Sequence, residues 1–179
     1  MKSVLISIQP KWCELIANNK KTVEVRKTKP KLETPFKVYI YCTKGREPNV
    51  LVRWCKSDNF LKEEFTALNG KVIGEFVCNK IECFTTDYRA NIEQTERISR
   101  LSCVSWLGMA EYEQNSHCLY GWHISNLVIY DKPRKLSEFF TIKCTNKKSS
   151  CSKCNIKPDC IKPIVKPPQS WCYVEEREG

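Results

Sequence analysis

Residue types suited to chemistry fall in three places along this chain of 179 residues. The first is a polar set near the N-terminus: Ser7, Gln9, Lys11, Lys21, Thr22, Glu24 and Arg26. Lysine and arginine can both hold a phosphate, and arginine does so through two parallel hydrogen bonds. A carboxylate between two cations can orient them both. The other reading is a salt-bridged outer face of a sheet. The second place is Cys144-x6-Cys151-x2-Cys154-x5-Cys160. Zinc takes four such ligands in a tetrahedron, about 2.3 Å from each sulfur, and the central C-x2-C knuckle lets two thiols reach one ion. Flanking lysines offset the charge of a tetrathiolate, and a segment this polar needs a metal in place of a core. A disordered tail or air-formed disulfides are the alternatives, and Cys172 or His117 can stand in for one ligand. With all four positions filled, the zinc would be structural. The third place is Trp122-His123, followed by Ser125 and Asn126. The indole can stack on a base at about 1–3 kcal/mol, or it can be core with His123 as a satisfied partner. Trp12 and Trp171 carry the same two readings, with core packing the favoured one.

These residues need elements to hold them. Ser3 to Ile8 alternates and is rich in Val and Ile, as a strand requires. Pro10 suits the first turn of a helix, and Trp12, Leu15 and Ile16 recur at helical spacing. Thr22 to Arg26 alternates strictly, with Thr22, Glu24 and Arg26 on one face and Val23 and Val25 on the other. Phe36 to Cys42, Gly70 to Phe84, Leu119 to Tyr130 and Trp171 to Glu175 read as further strands. Asp58 to Leu68 suggests a short helix with an Asp cap, and Glu93 to Tyr112 suggests two short helices. Residues 143–168 show no periodicity. The result is an α+β fold around a small, mostly antiparallel sheet, closed into a barrel in the strongest version of this reading.

Bulk properties narrow the function classes. Hydrophobic residues make up 41% of the chain, so disorder is not the default. No run approaches the roughly 18 apolar residues of a membrane helix, and Gln9-Pro10-Lys11 cuts short any signal-peptide core. The expected location is the cytoplasm. There, clustered cysteines mean metal more often than disulfides. Cys13, Cys42, Cys55, Cys78, Cys83, Cys103 and Cys118 read instead as small buried hydrophobes. The net charge of +10 lies in two blocks. Residues 1–31 carry eight Lys/Arg against two Glu, and residues 143–168 carry seven Lys against one Asp. If the two ends meet, they make one basic face that attracts phosphate backbones. Otherwise they are solubilising surface.

The run Val4-Leu5-Ile6-Ser7-Ile8-Gln9-Pro10-Lys11-Trp12, followed by Asn19-Lys20-Lys21-Thr22-Val23-Glu24-Val25-Arg26, resembles the opening of the ASCH family. Its members read strand, Pro-Lys, helix, then G-x-K-T-x-E-x-R, and here Asn19 stands at the usual glycine. Gly70 to Phe76, Leu119 to Asn126 and Pro167 to Val174 fit more weakly, in the manner of phage- and bacterium-encoded ASCH-like proteins. The resemblance implies a PUA-like barrel with an early helix, helical insertions and a cleft beside the first helix. It implies RNA or other nucleic acid as partner; the expected contacts, from the residue chemistry above, are Ser7, Lys11, Lys21, Thr22, Arg26, Trp122, His123 and Ser125. One branch of the family resembles an amidohydrolase acting on acylated cytidine, and another resembles ribonucleases. Carried over by position, the chemistry would rest on Lys21, Glu24 and Glu75, with Glu24 standing where the amidohydrolase branch has threonine. A third possibility is an interaction protein whose zinc element binds another protein. The expected organisation is a barrel over 1–142, a zinc-binding insertion over 143–168, and a final strand with an acidic tail over 169–179.

Overall fold

The computed structural model describes residues 2–44, 68–87, 91–114, 116–142 and 161–175. Strand β1 (Lys2–Ile8) leads into helix α1 (Pro10–Ala17), then β2 (Val23–Arg26) and β3 (Phe36–Cys42). Next come β4 (Val72–Phe84), α2 (Ile92–Ser102), α3 (Trp106–Glu113) and β5 (Leu119–Arg134). A 3-10 turn (Leu136–Glu138), β6 (Phe140–Ile142), β7 (Ile161–Pro163) and β8 (Trp171–Glu175) complete the order. The two helices expected between Glu93 and Tyr112 are α2 and α3. The helix expected from Asp58 to Leu68 falls almost wholly outside the described residues. Strand β7 lies in a stretch where the sequence showed no periodicity.

The eight strands form one sheet in the order β2-β5-β4-β3-β1-β8-β6-β7. Every pairing is antiparallel except β1 with β3. Strand β1 sits near the middle and is buried on both faces, which is why it reads as a nearly unbroken apolar run. Val4, Ile6 and Ile8 join Val38, Ile40, Phe76 and Trp122 in the main core. Leu5 faces the other way, onto Tyr39, Phe139 and Val174. Strands far apart in the sheet order meet in the main core, so the sheet curls around it.

The expected closed barrel is not formed among the described residues, because no ladder joins edge strand β2 to β7. Side chains instead tie the β2 edge and the residues after it to β1 and β8. Arg26 donates to the Ser7 carbonyl at 2.6 Å, and Trp171 Nε1 donates to Thr28 Oγ1 at 2.9 Å. The long β4–β5 pair changes register at three places. One of these, at Gly74, brings the strands so close that a Cβ there would overlap the Val128 carbonyl oxygen. No helix among the described residues is long and apolar enough to cross a membrane.

Candidate functional site

A cleft of about 640 Å³ lies along the seam between β2 and the end of β1. Its position follows from the turn that ends α1. Pro10 begins the helix, and Pro10, Cys13 and Ile16 bury one face of it. The helix stops at Asn18, and Asn19 takes φ 55°, a left-handed conformation that asparagine tolerates better than most side chains. This is the position where the resemblance expects glycine. Lys20 N–H and Lys21 N–H then both donate to the Leu15 carbonyl, and the chain turns into β2.

Lys21, Glu24 and Arg26 meet at the floor of the cleft. Lys21 is 2% and Glu24 4% exposed, so the polar face of β2 is an interior feature rather than a solvated one. Lys21 Nζ donates to the Ser102 carbonyl at 2.6 Å and lies 3.2 Å from Glu24 Oε2. Glu24 Oε1 is 3.0 Å from the Arg26 guanidinium. Glu24 Oε2 and Arg26 Nε are buried without a hydrogen-bond partner among the described residues. Two cations against one carboxylate leave the floor with one net positive charge. Burying such a set carries a large desolvation cost that only close pairing offsets. Ser7 Oγ donates to the Pro168 carbonyl at 2.7 Å, tying the end of β1 to the segment before β8.

The walls are apolar and aromatic. Trp12 comes from α1, Val104 precedes α3, and Gly108, Met109 and Tyr112 come from α3. Pro167, Pro168, Gln169 and Ser170 close the remaining side. Two braces position the helical wall. The buried Glu113 carboxylate accepts from both the backbone N–H and the hydroxyl of Thr86, while Trp106 Nε1 donates to the Thr86 carbonyl at 3.1 Å. On the outer side, Arg97 of α2 makes a two-pronged pair with Glu82 of β4, which also bonds His123 of β5. The Arg97 hydrogen bonds hold the Glu82 carboxyl down at about 2, with burial opposing and His123 assisting. The α2 so held presents the Ser102 carbonyl to Lys21.

The predicted residues separate into those the fold gathers and those it does not. Ser7, Gln9, Lys21, Glu24 and Arg26 line the cleft. Lys11 is exposed beside it, with its ammonium 4.7 Å from the centre of the Trp12 ring. Thr22 is not a lining residue; its backbone N–H donates to the Leu101 carbonyl. Trp122 is fully buried against Phe36 and Trp171, so it has no face to offer a base. His123 points to the opposite side of β5 and serves the Glu82 brace. Ser125 donates to the Val77 carbonyl. Glu75 pairs with Lys37 at 3.1 Å and accepts from the Tyr130 hydroxyl, outside the cleft. The acid/base set Lys21, Glu24 and Glu75 is therefore not assembled. Cys144, Cys151, Cys154 and Cys160 lie outside the described residues. Sequence reading missed Tyr112, Met109 and the Pro167–Ser170 wall; Trp12, for which it left both readings open, is half-buried, packed against the main core and lining the cleft. The Pro-Pro-Gln-Ser run was visible, but nothing in it announces that it faces β2.

This combination of a curled mixed sheet, an early helix and a cleft beside it is a fold shared with a solved ASCH protein. The chain is similar to the crystal structure of ASCH from Zymomonas mobilis, with a TM-score of 0.58 at 17% identity over 97% of this chain and 87% of that one. A mutant form of the same Zymomonas mobilis protein gives 0.59 at 16% identity, over 98% and 91% of the two chains. No protein-family model and no curated protein matches the sequence.

Proposed function

We propose that this chain binds single-stranded nucleic acid, RNA first, in the cleft beside α1. One observation carries the reading: a concave site with a net cationic floor, Lys21 and Arg26 against Glu24, and with accessible aromatic walls. Bases stack on such rings whatever their identity, and cations nearby draw the phosphates. The resemblance of the opening motif to ASCH sequences points the same way. Chemistry on nucleosides has less support, because Glu75 stands apart from Lys21 and Glu24. We also propose a structural zinc ion on Cys144, Cys151, Cys154 and Cys160. Ile142 and Ile161, the described residues that flank this segment, are paired across β6 and β7.

Fluorescence anisotropy with a labelled single-stranded RNA tests the reading. Tyr112, which is 40% exposed, is the residue to change, because its loss spares the core. Tyr112→Ala should weaken binding on the order of tenfold, the value of one stacked base. Absence of salt-sensitive binding by the wild-type chain would refute the proposal.

A further inference from the structure

The cleft carries a feature that a pocket for a free nucleoside would not need. Each of its aromatic walls has a lysine ammonium over the ring. Lys11 Nζ lies 4.7 Å from the centre of Trp12, and Lys27 Nζ lies 5.1 Å from the centre of Tyr112. Lys21 is also near Trp12, at 5.1 Å, but it is buried and bonded to the Ser102 carbonyl. Lys11 is exposed and Lys27 half-exposed, and neither makes an ion pair among the described residues. A lysine resting on a ring by a cation–π contact gives up only about 0.5–1 kcal/mol when it leaves. It can swing to a phosphate and leave the ring for a base.

The two lysines come from different elements. Lys11 stands on α1, while Lys27 directly follows β2 and reaches to α3. The cleft is thus flanked by two cations, one at each aromatic wall. Beyond Lys27 the same arrangement repeats, with Lys29 Nζ 5.5 Å from the centre of the Tyr120 ring. Tyr120 lies opposite Arg26 in the β2–β5 ladder and packs partly against the main core, so this third pair adjoins the cleft floor.

We propose that the ligand is a nucleotide within a strand, its base in the cleft, with Lys11 and Lys27 taking the phosphates on its two sides. Lys29 and Tyr120 receive the next nucleotide along. This rests on the nucleic-acid reading above and sharpens it: the site is built for a polynucleotide rather than for a free nucleoside or a chain end.

The test is the salt dependence of binding to a mixed-sequence single-stranded RNA of about ten nucleotides, read by anisotropy. Each lost phosphate contact should reduce the slope of log K against log salt by about 0.7. Lys11→Gln and Lys27→Gln should each remove about that much, and the double variant about twice it. Lys37→Gln, at a lysine paired with Glu75 away from the cleft, should leave the slope unchanged. If Tyr112→Ala weakens binding but neither lysine variant changes the slope, the flanking-phosphate inference is overturned and the cleft reading stands. If the RNA does not bind at all, both fall together.

Discussion

Replacing Glu82 by glutamine tests the brace that holds α2 to the sheet. The Glu82 carboxyl sits at about 2 instead of its usual 4.5, chiefly because Arg97 bonds both of its oxygens. Each pH unit of such a displacement corresponds to about 1.4 kcal/mol, so the charged form is worth on the order of 3 kcal/mol to the fold. Arg97 and Lys80 keep much of their surface in water. Screening there brings the realistic figure to about 2 kcal/mol. A carboxyl depressed in the folded state stabilises fully above its unfolded value and loses that contribution as pH falls. The contribution is therefore complete at pH 7, shrinks below about 4.5, and is gone near 2. Glutamine preserves the shape and removes the charge. Urea unfolding should place Glu82→Gln about 2 kcal/mol below wild type at pH 7, with the two curves converging near the acid end. Comparing the two proteins cancels the titrating groups that do not touch Glu82. A penalty that stays constant across that range would refute the argument, because it would then come from packing and not from charge.

Three further outcomes are expected. Trp122→Phe should destabilise the chain by roughly 1–3 kcal/mol through the space it leaves in the core, yet the folded variant should bind RNA with unchanged affinity; a tenfold loss would show that the indole meets the ligand. Asn19→Gly should raise stability by roughly 0.5–1 kcal/mol, since φ 55° costs glycine nothing; a lower melting temperature would show that the turn needs the asparagine side chain. Elemental analysis of protein purified under reducing conditions should find about one zinc per chain, in line with a filled tetrahedral site, and Cys151→Ser should lose it; no metal in either protein ends the zinc proposal.

The first strand, the helix after it and the alternation of β2 were legible because local pattern decides them. Val23 and Val25 against Thr22, Glu24 and Arg26 can only be a strand with one polar face. Which way that face looks was not legible. Glu24 is buried because its face of β2 turns into the curl of the sheet, opposite Trp122 in the β2–β5 ladder, while α2 and α3 pack over the Val23 and Val25 face; alternation alone does not say which face turns inward. Trp122 and His123 show a similar limit. Adjacent strand residues must point to opposite sides, but the β4–β5 register shifts decide which side is core. The partner that claims His123, Glu82, is distant in sequence. Glu75 was carried over by position in a motif, and its actual neighbours, Lys37 and Tyr130, come from strands on either side of it. The cleft's far wall was hidden for the same reason: Ser7 and Pro168 are 161 residues apart.

That separation has a consequence for how the protein is made. Strand β8 lies between β1 and β6 in the middle of the sheet, and residues 167–170 close the cleft. A ribosome-bound chain still lacking these residues has β1 with an unpaired edge and a cleft missing one wall. Core and cleft are completed by the same late segment. The growing chain therefore cannot present the complete proposed cleft before its fold is finished, and a truncation before residue 167 removes one wall of the cleft and a central strand at once.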